Sequence, residues 1–169
     1  MLPETWVAAD GTVITIRPIS AADLVLEQEF VDGLSASTGY QRLMSARRPS
    51  LEELRRFTDI DLERELALIA TTPVQGRERQ IGVARYVKES SAGDAEFAIV
   101  LSDDWQGRGL GTRLLFSLLV AAKSHGVRRL VGMTMSENRG MLALGRKLGF
   151  KLAMDAGSAT ITNLTVDLA

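Results

Sequence analysis

Between Glu96 and Thr112 the chain passes from an unbroken apolar run, Phe97-Ala98-Ile99-Val100-Leu101, through a short polar turn into three glycines at alternate positions, Gly107, Gly109 and Gly111. From Gly109 to Ser124 apolar residues then recur at helical spacing, at Leu110, Leu114, Leu118 and Ala121, widened by Leu115 and Leu119. A buried strand that turns through glycines into such a helix implies a sheet with a helix packed on it. Glycine allows positive φ and close approach of a ligand. The first amides of a helix have no internal partners, and with the helix dipole they suit a phosphate or pyrophosphate. A tight strand-to-helix connection without any ligand would read the same way. Two other phosphate motifs fail on spacing. A P-loop needs Lys followed by Ser or Thr after its last glycine, and Thr112-Arg113 follows Gly111; a dinucleotide fingerprint needs G-x-G-x-x-G, and these glycines are evenly spaced.

Around this segment the pattern predicts a mixed α/β (α+β) architecture. Thr12–Arg17, rich in β-branched residues and stopped by Pro18, reads as a strand. Ser20 with Asp23, and Ser50 with Glu53, have capping-box spacing and start helices running toward Gly33 and through Phe57. Residues 35–39 read as a turn. Strands are expected at 66–70, 80–87 and 95–101, joined by hairpin connections over Pro73–Gly76 and Ser90–Asp94 and therefore antiparallel. Val127–Met135 reads as a strand, Arg139–Leu148 as a helix ended by Gly149, and 150–154 and 159–168 as two last strands. The expected fold is a mixed sheet of about seven strands flanked by about four helices. With no repeat, low-complexity tract or linker, residues 1–169 read as a single domain.

Composition narrows the chemistry. Twenty basic against twenty-one acidic residues give a net charge of -1, without the basic excess expected of a nucleic-acid binder. No apolar run approaches a membrane span, and the N-terminus lacks a secretory pattern, so a cytoplasmic location is expected. Cysteine is absent, which excludes disulfides, cysteine zinc sites and a cysteine nucleophile. One histidine leaves little material for a Ser-His-Asp triad or a multi-histidine metal site, and no metal is expected. Acyl transfer by such a chain would be direct, or would use another nucleophile.

Gln106, Gly109 and Gly111 match the Gln or Arg-x-x-Gly-x-Gly or Ala signature of the GNAT superfamily of acyl-CoA-dependent N-acyltransferases, which this sequence resembles. A second signature, an asparagine after a strand and then a helix ending in Gly-Phe, is matched by Asn138 and by Arg146-Lys147-Leu148-Gly149-Phe150. The likeness extends from about Ile14 to Leu168. Arg17-Pro18-Ile19, Tyr40-Gln41-Arg42, the stretch 60–65 and Asp103-Asp104-Trp105-Gln106-Gly107 look like the acetyltransferase domain of bacterial protein lysine acetyltransferases. In many of those proteins that domain is fused to an acyl-CoA-synthetase-like region, which this sequence lacks.

The resemblance implies acetyl-CoA as acyl donor and an amine as acceptor, either a protein lysine or a small molecule. A non-catalytic acyl-CoA-binding module is the alternative. A homodimer through the late strands stays open. The pantetheine arm is expected along the backbone of Ile99, Val100 and Leu101. The pyrophosphate is expected on the amides of Gln106, Gly107, Arg108, Gly109, Leu110, Gly111 and Thr112, with Arg108 and Arg113 assisting through their guanidinium groups. Asn138 is expected to hydrogen-bond the cofactor, to cap its helix, or both. Glu96, set among apolar residues, is expected to be partly desolvated and to act as general base, against the reading of a solvated strand-end carboxylate. Many GNAT enzymes carry a tyrosine seven residues after the asparagine as general acid; here that position is Gly145, and Ser136 is a weak substitute. The acidic positions Asp59, Asp61, Glu63 and Glu65 read as a solvated turn or as a lure for a cationic acceptor. His125 reads as a favourable charge at a helix end, and Met133, Met135, Met141 and Met154 as core filling.

Overall fold

Short-range chemistry sets most of the element boundaries. In the computed structural model, which describes residues 2–36, 49–89 and 93–169, both capping boxes form. The Ser20 N–H donates to Asp23 Oδ2 at 2.8 Å, starting a 3-10 turn that leads into α1 (Leu24–Asp32). Ser50 and Glu53 bond reciprocally at 3.1 Å and open α2 (Leu51–Thr58). The tyrosine-containing stretch 40–42, most of the turn 35–39 and residues 90–92 of the later connection lie outside the described residues.

Eight strands form one sheet: β1 (Glu4–Val7), β2 (Val13–Pro18), β3 (Glu65–Val74), β4 (Arg77–Lys88), β5 (Asp94–Leu101), β6 (Arg129–Met135), β7 (Lys151–Asp155) and β8 (Ser158–Asp167). Their spatial order is β1-β2-β3-β4-β5-β6-β8-β7, and every neighbouring pair is antiparallel except β5 with β6. Between β5 and β6 runs α3 (Leu110–Ser124), and between β6 and β7 runs α4 (Arg139–Lys147).

One strand more than the sequence reading is β1, whose four residues are too short to show an alternation. Its hairpin signal was Asp10-Gly11, where Gly11 takes φ +88° and the Thr12 N–H donates to Asp10 Oδ1. The β3–β4 hairpin is also tighter than expected: both strands run on through Pro73 and Arg77, and only Gln75 and Gly76, at φ +53° and +78°, make the turn.

The sheet separates two cores. On one face α3 buries Leu110, Leu114, Leu115 and Leu118 against Ile14, Ile16, Leu68 and Ala84. On the other, Phe30 and Val31 of α1 and Leu54 of α2 cover Ala67, Ile69, Val83 and Val100. Burying such side chains is worth about 1.5–3 kcal/mol each. That second core contains a charged device. Glu27 of α1 is fully buried, accepts from Gln80 Nε2 at 2.9 Å and stands 3.5 Å from Arg85 Nη2. Arg85 donates to the Phe57 carbonyl and lies 4.9 Å from the centre of its ring, so one guanidinium ties α1, α2 and β4 together. Nearby, Arg17 forks onto Asp23 at 2.8 and 2.9 Å, which holds the Asp23 carboxyl below its ordinary range.

Candidate active site

The parallel ladder between β5 and β6 is short. It pairs Asp94, Ala95 and Glu96 with Arg129, Leu130 and Val131, and beyond Glu96 the two strands part. A cavity of about 380 Å³ opens in the gap, between the carboxyl half of β5, the glycine turn and α4.

Ile99, Val100 and Leu101 form one wall, as expected for a strand whose backbone edge is offered to a ligand. Gln106, Gly107, Gly109, Gly111 and Thr112 form the rim. The three glycines do different jobs. Gly107 and Gly109 take φ of +73° and +87°, a region that L-residues with a β-carbon adopt at a cost, whereas Gly111 is an ordinary helical residue. A β-carbon on Gly111 would stand 3.3 Å from Leu101 Cδ1 and 3.4 Å from Leu144 Cδ2, so its role is to let α4 come close. Gly109 is also the N-cap of α3, which turns the first amides of that helix toward the rim. Gln106 Nε2 donates to the Leu101 carbonyl and so braces the turn against the end of β5.

Asn138 caps its helix as expected and stands at the cavity. Its Oδ1 accepts from the Met141 N–H at 3.2 Å as N-cap of α4, its Nδ2 donates to Thr134 Oγ1, and it lines the cavity.

The two arginine side chains are turned elsewhere. Arg108 stacks 3.7 Å from the centre of the Trp105 ring and pairs with Asp10 of the β1–β2 turn at 2.5 Å. Asp10 is held below the usual carboxylate range, chiefly by its hydrogen bonds to Thr12 and then by Arg108. Arg113 stands 3.8 Å from Glu4 of β1, and Ser117 also donates to Glu4. Neither arginine is among the cavity's lining residues, and each faces a carboxylate of the first hairpin. The Leu110 side chain is fully buried in the core, leaving only its amide for a ligand. Among the described residues the one charged residue lining the cavity is Lys147 of α4, which sequence reasoning missed. Its signal was the helical spacing Met141, Leu144, Lys147 on one face of α4.

Glu96 stands at the last paired position before the strands part, opposite Val87 and Val131. Its side chain is exposed, so the desolvation expected from its apolar neighbours is not present. The reason is alternation: Ala95 and Phe97 point into the α3 core, and Glu96 points to the opposite face. There α1 and α2 cover Val83 and Val100 of the same sheet. The cavity takes Phe97 and Ile99 from one face of β5 and Ala98 and Val100 from the face of Glu96, and Glu96 stands just before them at the apex of the gap.

The helix position where a tyrosine was sought is closed. Gly145 is buried, and a β-carbon there would lie 2.6 Å from Leu164 Cδ2. Ser136 Oγ is engaged with Thr162 Oγ1 at 2.8 Å and donates to the Ala159 carbonyl, and it does not line the cavity. Met141 packs against the core as expected and also lines the cavity, whereas Met133 lines the cavity at 57% exposure and Met154 is 67% exposed on an edge strand. His125 ends α3 as expected, with Nδ1 2.9 Å from the Tyr86 hydroxyl, whose pKa burial raises. Asp59, Asp61 and Glu63 are exposed; Asp61 accepts from the Glu63 N–H and orders the turn before β3. Among the described residues no group of three His, Cys, Asp or Glu is placed to hold a metal ion, and no helix is long and apolar enough to cross a membrane.

A sheet split between two parallel strands, with a glycine-rich helix start at the mouth of the split, defines an acyltransferase architecture. Residues 14–151 match the Acetyltransferase (GNAT) domain family, and the chain belongs to that family of acyl-CoA-dependent acetyltransferases. It is similar to an acetyltransferase of Pseudomonas aeruginosa, 31% identical over 93% of this chain and 86% of that protein. It is also similar to the acetyltransferase Pat of Mycolicibacterium smegmatis, 30% identical over 82% of this chain but only 41% of that longer protein. The crystal structure of the GNAT domain of Streptomyces lividans PAT superposes with a TM-score of 0.86 at 25% identity, covering 97% of this chain and 96% of that one.

Proposed function

We propose that the chain binds acetyl-CoA in the β5–β6 cavity and transfers the acetyl group directly to an amine, with Glu96 as general base. The observation that carries this reading is the position of Glu96 at the apex of the split, next in the strand to Phe97 and Ala98 of the cavity wall. A thioester fed through the gap from the α3–α4 side would meet an amine arriving on the Glu96 side. Solved GNAT neighbours from Salmonella typhimurium and Sinorhizobium meliloti are complexes with acetyl-CoA, which supports the choice of donor.

The cavity suits such a donor. Its inner walls are apolar, as a pantetheine arm and acetyl methyl require, and its rim carries the amides of the glycine turn. Asn138 adds one polar group to the lining. In the reaction the amine first loses a proton, since an ammonium has no lone pair; its ordinary pKa is about 10.4. Glu96 takes that proton, directly or through water. The nitrogen then attacks the thioester carbonyl, the C–N bond forms, the C–S bond breaks with its electron pair leaving on sulfur, and the second nitrogen proton passes to that thiolate or to water, leaving a neutral amide. An ordinary thiol has a pKa of about 8.5, so the departing thiolate needs little help. That fits the closed Gly145 position and the engaged Ser136. With no cysteine in the chain, direct attack is favoured over a cysteine-bound acyl intermediate.

The exposed face around Glu96 is compatible with either acceptor class. Ala98 beside it is exposed, and Val87 and Met133 flank it at 37% and 57% exposure, so the surface is open enough for a lysine side chain on a protein as well as a free amine. The continuous eight-stranded sheet supports reading 1–169 as one domain. The test is release of free CoA from acetyl-CoA, read with a thiol reagent, across lysine-containing peptides, folded proteins and small amines. The protein contributes no thiol of its own. Acceptor-dependent release supports the proposal; tight acetyl-CoA binding with no release for any acceptor would favour the non-catalytic module.

A further inference from the structure

The strands of the split part after Glu96 and Val131, so Phe97 of β5 and Gly132 of β6 are the first residues on either side of the gap. They differ as much as two residues can. A β-carbon on Gly132 would stand 2.6 Å from Phe97 Cε1 and 3.0 Å from Cζ, so the Phe97 ring reaches across and takes the space a side chain at 132 would need. Phe150 holds the ring from another side, with ring centres 5.1 Å apart and planes at 42°. A second glycine does the same for a second side chain. Leu164 of β8 is the register partner of Gly132, and a β-carbon on Gly145 of α4 would stand 2.6 Å from its Cδ2. Phe97 and Leu164 are both buried, and both line the cavity.

The direction of β5 says which end of the cavity this is. From Phe97 the strand runs to Leu101, and the glycine turn follows. At about 3.3 Å per residue, the four steps span about 13 Å. The turn therefore borders the wide end of the gap and the Phe97 ring the narrow one. A donor with its pyrophosphate on the amides of the turn points its acyl group at the ring. Packed between Gly132 and Phe150, the ring has no room to swing aside without moving its neighbours.

We infer that Phe97 is the floor of the acyl pocket and restricts the donor to short acyl chains. The inference rests on the placement of acetyl-CoA in this cavity. An acetyl group ends one methyl beyond the thioester carbonyl. A hexanoyl group carries four more methylenes, which must displace the ring, and close-packed interiors absorb added methylenes poorly.

The experiment measures binding of free CoA, acetyl-CoA, butyryl-CoA and hexanoyl-CoA by titration calorimetry, to the full chain and to Phe97→Leu and Phe97→Ala. The unaltered protein is expected to bind acetyl-CoA about tenfold tighter than hexanoyl-CoA, with butyryl-CoA between them. Phe97→Leu should narrow that ratio and Phe97→Ala should bring it to about one or reverse it, while free CoA binds all three proteins within about twofold. Equal affinity of the unaltered protein for acetyl-CoA and hexanoyl-CoA would overturn the assignment, whatever the variants do. An unchanged ratio in the conservative Phe97→Leu and in Phe97→Ala would overturn it too. So would an equal loss for every compound, free CoA included, which would leave the ring a purely structural part. Failure of the unaltered protein to bind any of the four would overturn the placement of the donor instead.

Discussion

The two edges of β5 are held by unequal ladders. Toward β4 it pairs through seven positions, from Gly82 with Leu101 to Lys88 with Ala95; toward β6 it pairs through three and then stops. On the β4 side both faces of the sheet are covered, by α3 on one and by α1 and α2 on the other, and a buried ion pair pins the second layer. On the β6 side α4 packs against β7, and Met133 and Met154 are left exposed. One apolar strand thus serves as core on one edge and as ligand wall on the other. What differs is the number of layers pressing on each edge, and the site lies where that pressure ends.

The strongest way to break the comparison is to weaken the covered side. Glu27→Ala would leave Arg85 buried without its carboxylate, and is expected to cost about 3–5 kcal/mol in urea denaturation. A loss under about 1 kcal/mol would mean the ion pair contributes little to that half. On the open side, Gly145→Ala must push Leu164, which is 1% exposed and also lines the cavity. An overpacking cost of about 2 kcal/mol is expected, together with weaker acetyl-CoA binding by calorimetry. Unchanged affinity would mean that Leu164 yields away from the cavity.

Asp23→Asn is expected to cost a little less, about 1–2 kcal/mol at pH 7. The folded-state pKa of Asp23 is lowered, mainly by its hydrogen bond to Arg17 and despite its burial. Its stabilisation is therefore complete above the ordinary carboxylate value of about 3.9 and is lost as pH falls toward the lower folded value. The stability gap between the unaltered protein and the variant should close below about pH 4; a gap that persists there would contradict the sign. Gly107→Ala carries the smallest stability effect, about 1 kcal/mol from positive φ alone, since nothing stands within 4 Å of its β-carbon position. It should still weaken acetyl-CoA, because it distorts the rim that faces the pyrophosphate.

Much of this was legible in the sequence because local rules agree with the fold. The capping boxes at Ser20 and Ser50, the helix stripe from Leu110 and the Asn138 cap are decided within a few residues. Strand β1 was not found, since four residues give no periodicity, although Asp10-Gly11 marked its hairpin. The site was half legible. Backbone positions from Ile99 to Thr112 depend on the glycines and the strand, which sequence shows. The directions of Arg108 and Arg113 depend on Asp10 and Glu4, which are distant in sequence. The exposure of Glu96 was missed because an apolar neighbourhood in sequence is not one in space when side chains alternate.

The central claim is that Glu96, at the end of the short ladder, takes the proton of the attacking amine. Its direct test is Glu96→Gln, which keeps size and polarity, assayed for acetyl transfer and for acetyl-CoA affinity on the same preparation. The account predicts turnover lower by about a hundredfold or more, recovering as pH rises and the amine deprotonates unaided, with donor affinity nearly unchanged. Turnover equal to that of the unaltered protein at neutral pH would contradict it.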